Sequence, residues 1–197
     1  MSKKKRLDLY LLAKGLASSR QEAQRLILAG KVRDANGNLL DKPGFGVPEG
    51  IELLVAQPSR FVSRGGEKLL GAIDAFPIRI KGRVCLDGGI STGGFTDCLL
   101  QHGAAKVYGI DVGYGQIAWN LRTDSRVVLL ERTNLRSLTP DALYGDSPSR
   151  ADFAVADLSF ISLRLVLPAI RNLLSSNDAE ALLLVKPQFE VGKERVG

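Results

Sequence analysis

Between Arg83 and Leu100 the chain reads RVCLDGGISTGGFTDCLL. An apolar run ends in Asp87, a loop follows with Gly88, Gly89, Gly93 and Gly94, and a helix-like segment runs from Gly94 to Gly103. Strand, glycine turn and helix in that order form the unit that holds an adenosine-bearing cofactor in doubly wound sheets. Downstream the rhythm repeats as KVYGID at 106–111, VVLLE at 127–131, ADFAVADL at 151–158 and ALLLVK at 181–186. Strands apolar throughout, joined by helices of ten or more residues, require a sheet covered on both faces. The fold expected for this half is therefore α/β and Rossmann-like, with five parallel strands.

The upstream residues differ in charge. Residues 1–82 carry 15 Lys and Arg against 8 Asp and Glu, and residues 83–197 carry 12 against 13, so the net charges are +7 and −1. A basic module joined to a near-neutral one points to an anionic partner such as nucleic acid, or to a solvated basic face. Leu7, Tyr10 and Leu11 mark a short helix stopped by Gly15. Ser19 and Glu22 form a capping box for a second helix, with Ala23, Leu26 and Ile27 inward and Gly30 at its end. An Asn36-Gly37 turn, a Pro/Gly-rich loop at 42–50 and the strand-like IELLVA at 51–56 complete a small α+β module with a hairpin-rich sheet. The polar, proline-containing QPSRFVSR at 57–64 reads as a boundary. The expected organisation is a first domain at 1–57, a link at 58–64 and a second domain at 65–197, opening with a helix over 66–76.

Several classes of chemistry are excluded or disfavoured. Cys85 and Cys98 lack CxxC spacing and are expected to be buried, reduced thiols. With His102 as the single histidine, neither a tetrahedral zinc shell nor a histidine-based triad can be assembled, and no metal is expected. The basic start is followed by only five apolar residues between Asp8 and Lys14, too few for a signal peptide, and no run approaches a membrane span. A cytoplasmic protein is expected.

The glycine loop narrows the ligand. GxxxxGK[ST] is absent, and so is G-x-G-x-x-G, which disfavours a pyrophosphate. Asp87 and Asp111 end successive strands; the second position suits ribose hydroxyls, and the first suits a cofactor carrying positive charge, such as S-adenosylmethionine. A tight structural turn capped by Ser91 or Thr92 stays open as an alternative. Asp157 and Lys186 also follow apolar strands, which places them at the carboxyl edge of the sheet as crevice groups, or as a helix cap and a rim charge.

RLD at 6–8, SSRQEA at 18–23, AGKV at 29–32 and NG at 36–37 resemble the S-four RNA-binding domain. The resemblance implies phosphate contacts from Arg6, Arg20 and Lys42, and Arg60 and Arg64 of the basic link join the expected RNA-binding set. VSRGGEKL at 62–69, LDGGISTGGFTDCLLQHGA at 86–104, VYGIDVGYGQIAW at 107–119, LERTNLR at 130–136, DLSFISL at 157–163 and LVKPQFEVG at 184–192 resemble the TlyA family. These are S-adenosylmethionine-dependent ribosomal RNA 2′-O-methyltransferases with an S-four domain ahead of an FtsJ-like domain.

The likeness implies that Lys68, Asp157 and Lys186 are the first three members of a Lys-Asp-Lys-Glu catalytic set. It also implies cofactor contacts from Asp87, Gly89, Ser91, Thr92, Gly93, Asp111 and Asn134, and a cytidine ribose in ribosomal RNA as the target. Gly88 and Ile90 depart from the family pattern. The pattern continues past residue 197 to reach its fourth, acidic member, and Glu190 is not that residue by motif. A non-catalytic RNA-binding or ribosome-assembly factor stays open beside the enzyme, whereas a pore-forming protein would need a span, a barrel pattern or a strongly amphipathic helix, none of which the sequence offers.

Overall fold

The computed structural model describes residues 4–56, 59–147, 149–175 and 178–191. Contacts cluster into two units, residues 1–58 and 59–197.

In the first unit, helices α1 (Leu7–Ala13) and α2 (Arg20–Leu28) pack together around Leu7, Tyr10, Leu11, Ala23 and Ile27. Ser19 caps α2 by accepting from the Glu22 N–H at 3.1 Å, while the Glu22 carboxylate reaches back to the N–H of Ser18 at 2.7 Å, one residue earlier than a standard capping box. The strands do not merge into one sheet as expected. β1 (Lys4–Arg6) pairs antiparallel with β3 (Gly46–Pro48), and β2 (Val32–Asp34) with β4 (Leu53–Val55), as two separate ribbons. Each ribbon buries its own apolar residues, Val47 in one and Val32 and Leu53 in the other, against the helices. β1 has no apolar pattern to announce it, since Lys4, Lys5 and Arg6 are all exposed.

The second unit is built on a parallel sheet in the order β7-β6-β5-β8-β9, with β5 at Val84–Gly88, β6 at Lys106–Ile110, β7 at Val127–Leu130, β8 at Phe153–Ala156 and β9 at Glu180–Leu183. The chain runs outward from β5 to β7, returns to the centre at β8, and runs outward again. The strand order thus reverses between β5 and β8, where a crevice opens at the carboxyl ends. Alternation along the strands divides the core: Cys85, Val107, Phe153 and Val155 face α3 (Gly65–Ala75) and α4 (Gly94–Gln101), whereas Leu86, Tyr108, Ile110 and Ala154 share a second cluster with Val166, Ile170 and Leu173 of α7, which spans Leu163–Leu173. At roughly 1.5–3 kcal/mol for each fully buried large side chain, these two layers supply the main stabilisation.

Part of the expected link is packed rather than free. Phe61 is buried in the core of the second unit, and a Cβ on Gly66 would fall 2.2 Å from its Cγ, so the glycine makes room for the ring. Cys85 and Cys98 are buried and free, as expected, and burial pushes both thiols up to about 12. Among the described residues no helix is long and apolar enough to cross a membrane.

Candidate active site and RNA-facing residues

The loop after β5 is held open by backbone geometry. Gly89 (φ 82°) donates its N–H to the Ile110 carbonyl at 2.8 Å, Ser91 adopts φ 48°, and Gly93 adopts φ 95° immediately before α4. Gly88 and Ile90 are explained by packing. A Cβ on Gly88 would lie 2.6 Å from Leu135 Cδ2, and a Cβ on Gly109 would lie 2.3 Å from Ile90 Cδ1. The isoleucine therefore occupies the space that the neighbouring strand's glycine vacates.

Asp111 turns back onto the loop: its Oδ2 accepts from the Ser91 N–H and its Oδ1 from the Gly113 N–H, each at 2.7 Å. Gly89, Ser91, Asp111 and Asn134 line a cavity of about 480 Å³ whose apolar wall includes Val112, Leu135 and Leu158. Asn134 is anchored by accepting the Arg136 N–H at 3.0 Å. Thr92 lines the adjoining cavity instead, and Gly93 shapes the turn without lining either; a Cβ there would meet Leu121 Cδ1 at 2.3 Å.

Asp87 departs from the expectation of a cofactor contact. It is 1 % exposed and lines neither cavity, because strand alternation turns it toward α4, where Thr96 Oγ1 donates to its Oδ2 at 2.7 Å. Burial pushes its carboxyl up to about 7, against the pull of the Thr96 hydrogen bond, and the nearby Asp157 and Asp111 add to the rise.

The second cavity, about 550 Å³, is lined by Lys68, Asp157 and Lys186 and shares Gly89, Ser91, Asp157 and Ser159 with the first. The three expected catalytic side chains meet there. Lys68 Nζ donates to Asp157 Oδ2 at 2.9 Å, and Lys186 Nζ lies 2.6 Å from Asp157 Oδ1 and donates to Ser159 Oγ at 2.7 Å. Burial opposes ionisation of Asp157, but the ion pairs with Lys186 and Lys68 outweigh it and hold the carboxyl below its usual range.

Two residues of this site escaped sequence reading, Ser159 and Phe160. Phe160 is 91 % exposed, has φ 66° and sits 5.3 Å from the Phe189 ring. A bulky residue in the left-handed region is a strained conformation that functional sites tend to retain; nothing in the DLSFISL pattern marks it. Glu190 caps α7, accepting from Ser162 Oγ at 2.6 Å and the Leu163 N–H at 2.8 Å, and does not join the lysine pair.

The basic residues divide between the units. In the first, Arg6 and Arg20 converge on Asp8, and Lys42 is exposed in the loop whose Pro43 carbonyl accepts the Asp8 N–H. In the second, Arg64 precedes α3 and lines the lysine cavity, while Arg60 lies over the Phe61 ring at 5.2 Å.

Comparison with known proteins agrees with this division. Residues 61–197 match the FtsJ-like methyltransferase family, and residues 5–52 match the S4 domain. The chain is 55% identical over its whole length to the 16S/23S rRNA (cytidine-2'-O)-methyltransferase TlyA of Mycobacterium tuberculosis, spanning 72% of that protein. It is 42% identical over 94% of its length to hemolysin A of Brachyspira hyodysenteriae, of which it covers 75%. A solved hemolysin-named structure from Streptococcus thermophilus superposes with a TM-score of 0.68 at 41% identity, covering 100% of this chain and 71% of that one.

Proposed function

The chain belongs to the FtsJ-like methyltransferase family, and from that premise we propose that it transfers a methyl group from S-adenosylmethionine to the 2′-hydroxyl of a cytidine ribose in ribosomal RNA. The observation that carries the reading is the placement of Asp157, held between Lys68 and Lys186 where the two cavities share a wall.

The residues suit the cofactor. A carboxylate at the end of the second strand, an apolar wall and a glycine turn that lets backbone approach closely match a nucleoside with ribose hydroxyls, and the volume falls within the usual range for small-molecule sites. Asp111 would hold the ribose, Asn134 the adenosine end, and Gly89 and Ser91 the amino-acid portion. S-adenosylmethionine, when bound, supplies an electrophilic methyl group on a sulfonium.

A ribose hydroxyl is a weak nucleophile near neutral pH and needs a base or a strong orienting group. Lys186 Nζ, fixed in position by Ser159 and Asp157, is the group placed to meet the ribose hydroxyl, and it accepts the hydroxyl proton once its own proton has passed to solvent. Lys68 balances Asp157 from the other side and orients the ribose oxygen. Asp157, kept ionised, favours positive charge at the shared wall. The exposed ring of Phe160, at the rim beside Ser159, offers a face on which the target base stacks. Arg6, Arg20, Lys42, Arg60 and Arg64 supply phosphate contacts, which fix RNA register without reading bases. This chemistry belongs in the cytoplasm, on ribosomal subunits or their RNA.

The test is a map of 2′-O-methyl cytidines in ribosomal RNA from cells with and without the gene, together with calorimetry of the protein with S-adenosylmethionine. At least one gene-dependent site and saturable cofactor binding are expected. RNA binding without cofactor binding would replace the enzyme by a non-catalytic RNA-binding factor.

A further inference from the structure

Asp8 is completely buried in the first unit, yet its carboxylate accepts five hydrogen bonds, two of the donors being arginines that reach in from the surface. Oδ1 accepts from Arg6 Nε at 3.1 Å and the Leu9 N–H at 2.9 Å. Oδ2 accepts from Arg6 Nη2 at 3.0 Å, Arg20 Nε at 3.1 Å and Gln24 Nε2 at 3.0 Å. The largest influence on the Asp8 carboxyl is the Arg6 hydrogen bond, which with those from Gln24 and Arg20 overcomes the penalty of burial and holds it far below the usual carboxylate range.

The donors used are the inner ones. Arg6 commits Nε and one terminal nitrogen, and Arg20 commits only Nε. Arg6 Nη1 and both terminal nitrogens of Arg20 stay free of Asp8, and the two side chains are about half exposed, at 49% and 54%. Arg6 is also supported from below, since a Cβ on Gly44 would lie 3.4 Å from its Nη1. Two half-exposed guanidinium groups are thus held by one buried anion and keep terminal nitrogens that Asp8 does not use.

We infer that Asp8 is a positioning residue for RNA binding: it sets Arg6 and Arg20 as a fixed two-arginine clamp for backbone phosphate. This rests on the proposed RNA-binding role of the two arginines. A fixed guanidinium fork loses less freedom on meeting a phosphate than a free one, and its donors match phosphate geometry. Charge counting makes the opposite prediction to positioning, because removing an acidic residue from a basic module should tighten its hold on a polyanion.

The test is equilibrium binding of the full chain to a labelled small-subunit ribosomal RNA transcript, with a large-subunit transcript in parallel, from about 50 to 200 mM salt. Asp8→Asn is expected to weaken binding roughly tenfold although the net positive charge rises by one, and to reduce the salt slope by about 1, the signature of a lost phosphate contact. A helix-bracing role alone would lower the melting temperature without lowering that slope. Binding as tight as, or tighter than, the parent, while Arg6→Ala and Arg20→Ala still weaken it, overturns the inference and leaves the RNA reading intact. Unchanged binding by both alanine variants overturns the RNA reading and the inference with it.

Should Asp8→Asn not fold, Arg20→Lys decides. It preserves charge, but its single ammonium cannot serve Asp8 and a phosphate through separate nitrogens. Weaker binding at an unchanged melting temperature supports the clamp, and unchanged binding refutes it.

Discussion

Lys68 and Lys186 approach opposite oxygens of one carboxylate, Lys68 Nζ at 2.9 Å from Asp157 Oδ2 and Lys186 Nζ at 2.6 Å from Oδ1. Neither lysine is placed by its own element alone. Asp157→Asn is expected to lower the rate of methyl transfer by about 10²-fold or more, the range associated with a misplaced proton acceptor, while changing cofactor affinity much less. Lys186→Ala is expected to abolish transfer and leave cofactor binding in place. Single-turnover methylation of ribosomal RNA, read beside calorimetry with S-adenosylmethionine, checks both; wild-type turnover by Lys186→Ala would remove that residue from the mechanism.

Asp111 directly follows β6 and lines the cavity of about 480 Å³ with its apolar wall. Asp111→Ala is expected to weaken S-adenosylmethionine by about tenfold or more, the scale of a charge-assisted hydrogen bond. RNA affinity should be unaffected. Equal cofactor affinity in calorimetry would move the ribose elsewhere.

Phe160 tests the base platform. Loss of an aromatic stacking face costs roughly 1–3 kcal/mol per base, so Phe160→Ala should reduce kcat/KM for RNA by about tenfold or more with cofactor affinity unchanged. Phe160→Tyr should retain most activity. If alanine and tyrosine behave alike, the exposed ring has no part in holding the target.

Asp87 makes stability depend on pH. Its carboxyl rises from the ordinary range near 4 to about 7 through burial, so the folded state binds a proton more tightly than the unfolded chain. That contribution is fully present below about pH 4 and is lost as pH rises toward 7, at up to about 1.4 kcal/mol per pH unit, or about 2–4 °C per kcal/mol. Asp87→Asn should flatten this fall between pH 5 and 7, measured by thermal denaturation in matched buffers. A parent curve that rises over this interval would contradict the buried, protonatable state.

Much of the architecture was legible in local pattern. Continuous apolar runs announced five parallel strands, the Ser19 and Glu22 spacing announced a capped helix, and the glycine loop announced a tight strand-to-helix turn with positive φ at Gly89 and Gly93. These features depend on neighbours within a few residues, so composition and spacing carry them. β1 was not legible, because a three-residue basic segment becomes a strand only by pairing with β3.

What the sequence determined by itself was therefore the order and type of most elements and the kind of loop between β5 and α4, since backbone conformation and burial periodicity are local properties. Only the tertiary structure decided that Asp157 joins a lysine 89 residues upstream to another beyond β9, that Asp87 faces α4 and lines neither of the two cavities, and that Asp8 gathers Arg6, Arg20 and Gln24. Those outcomes depend on which face of a strand or helix meets which neighbour across the fold, and a side chain's direction there is settled by packing rather than by the residues beside it in the chain.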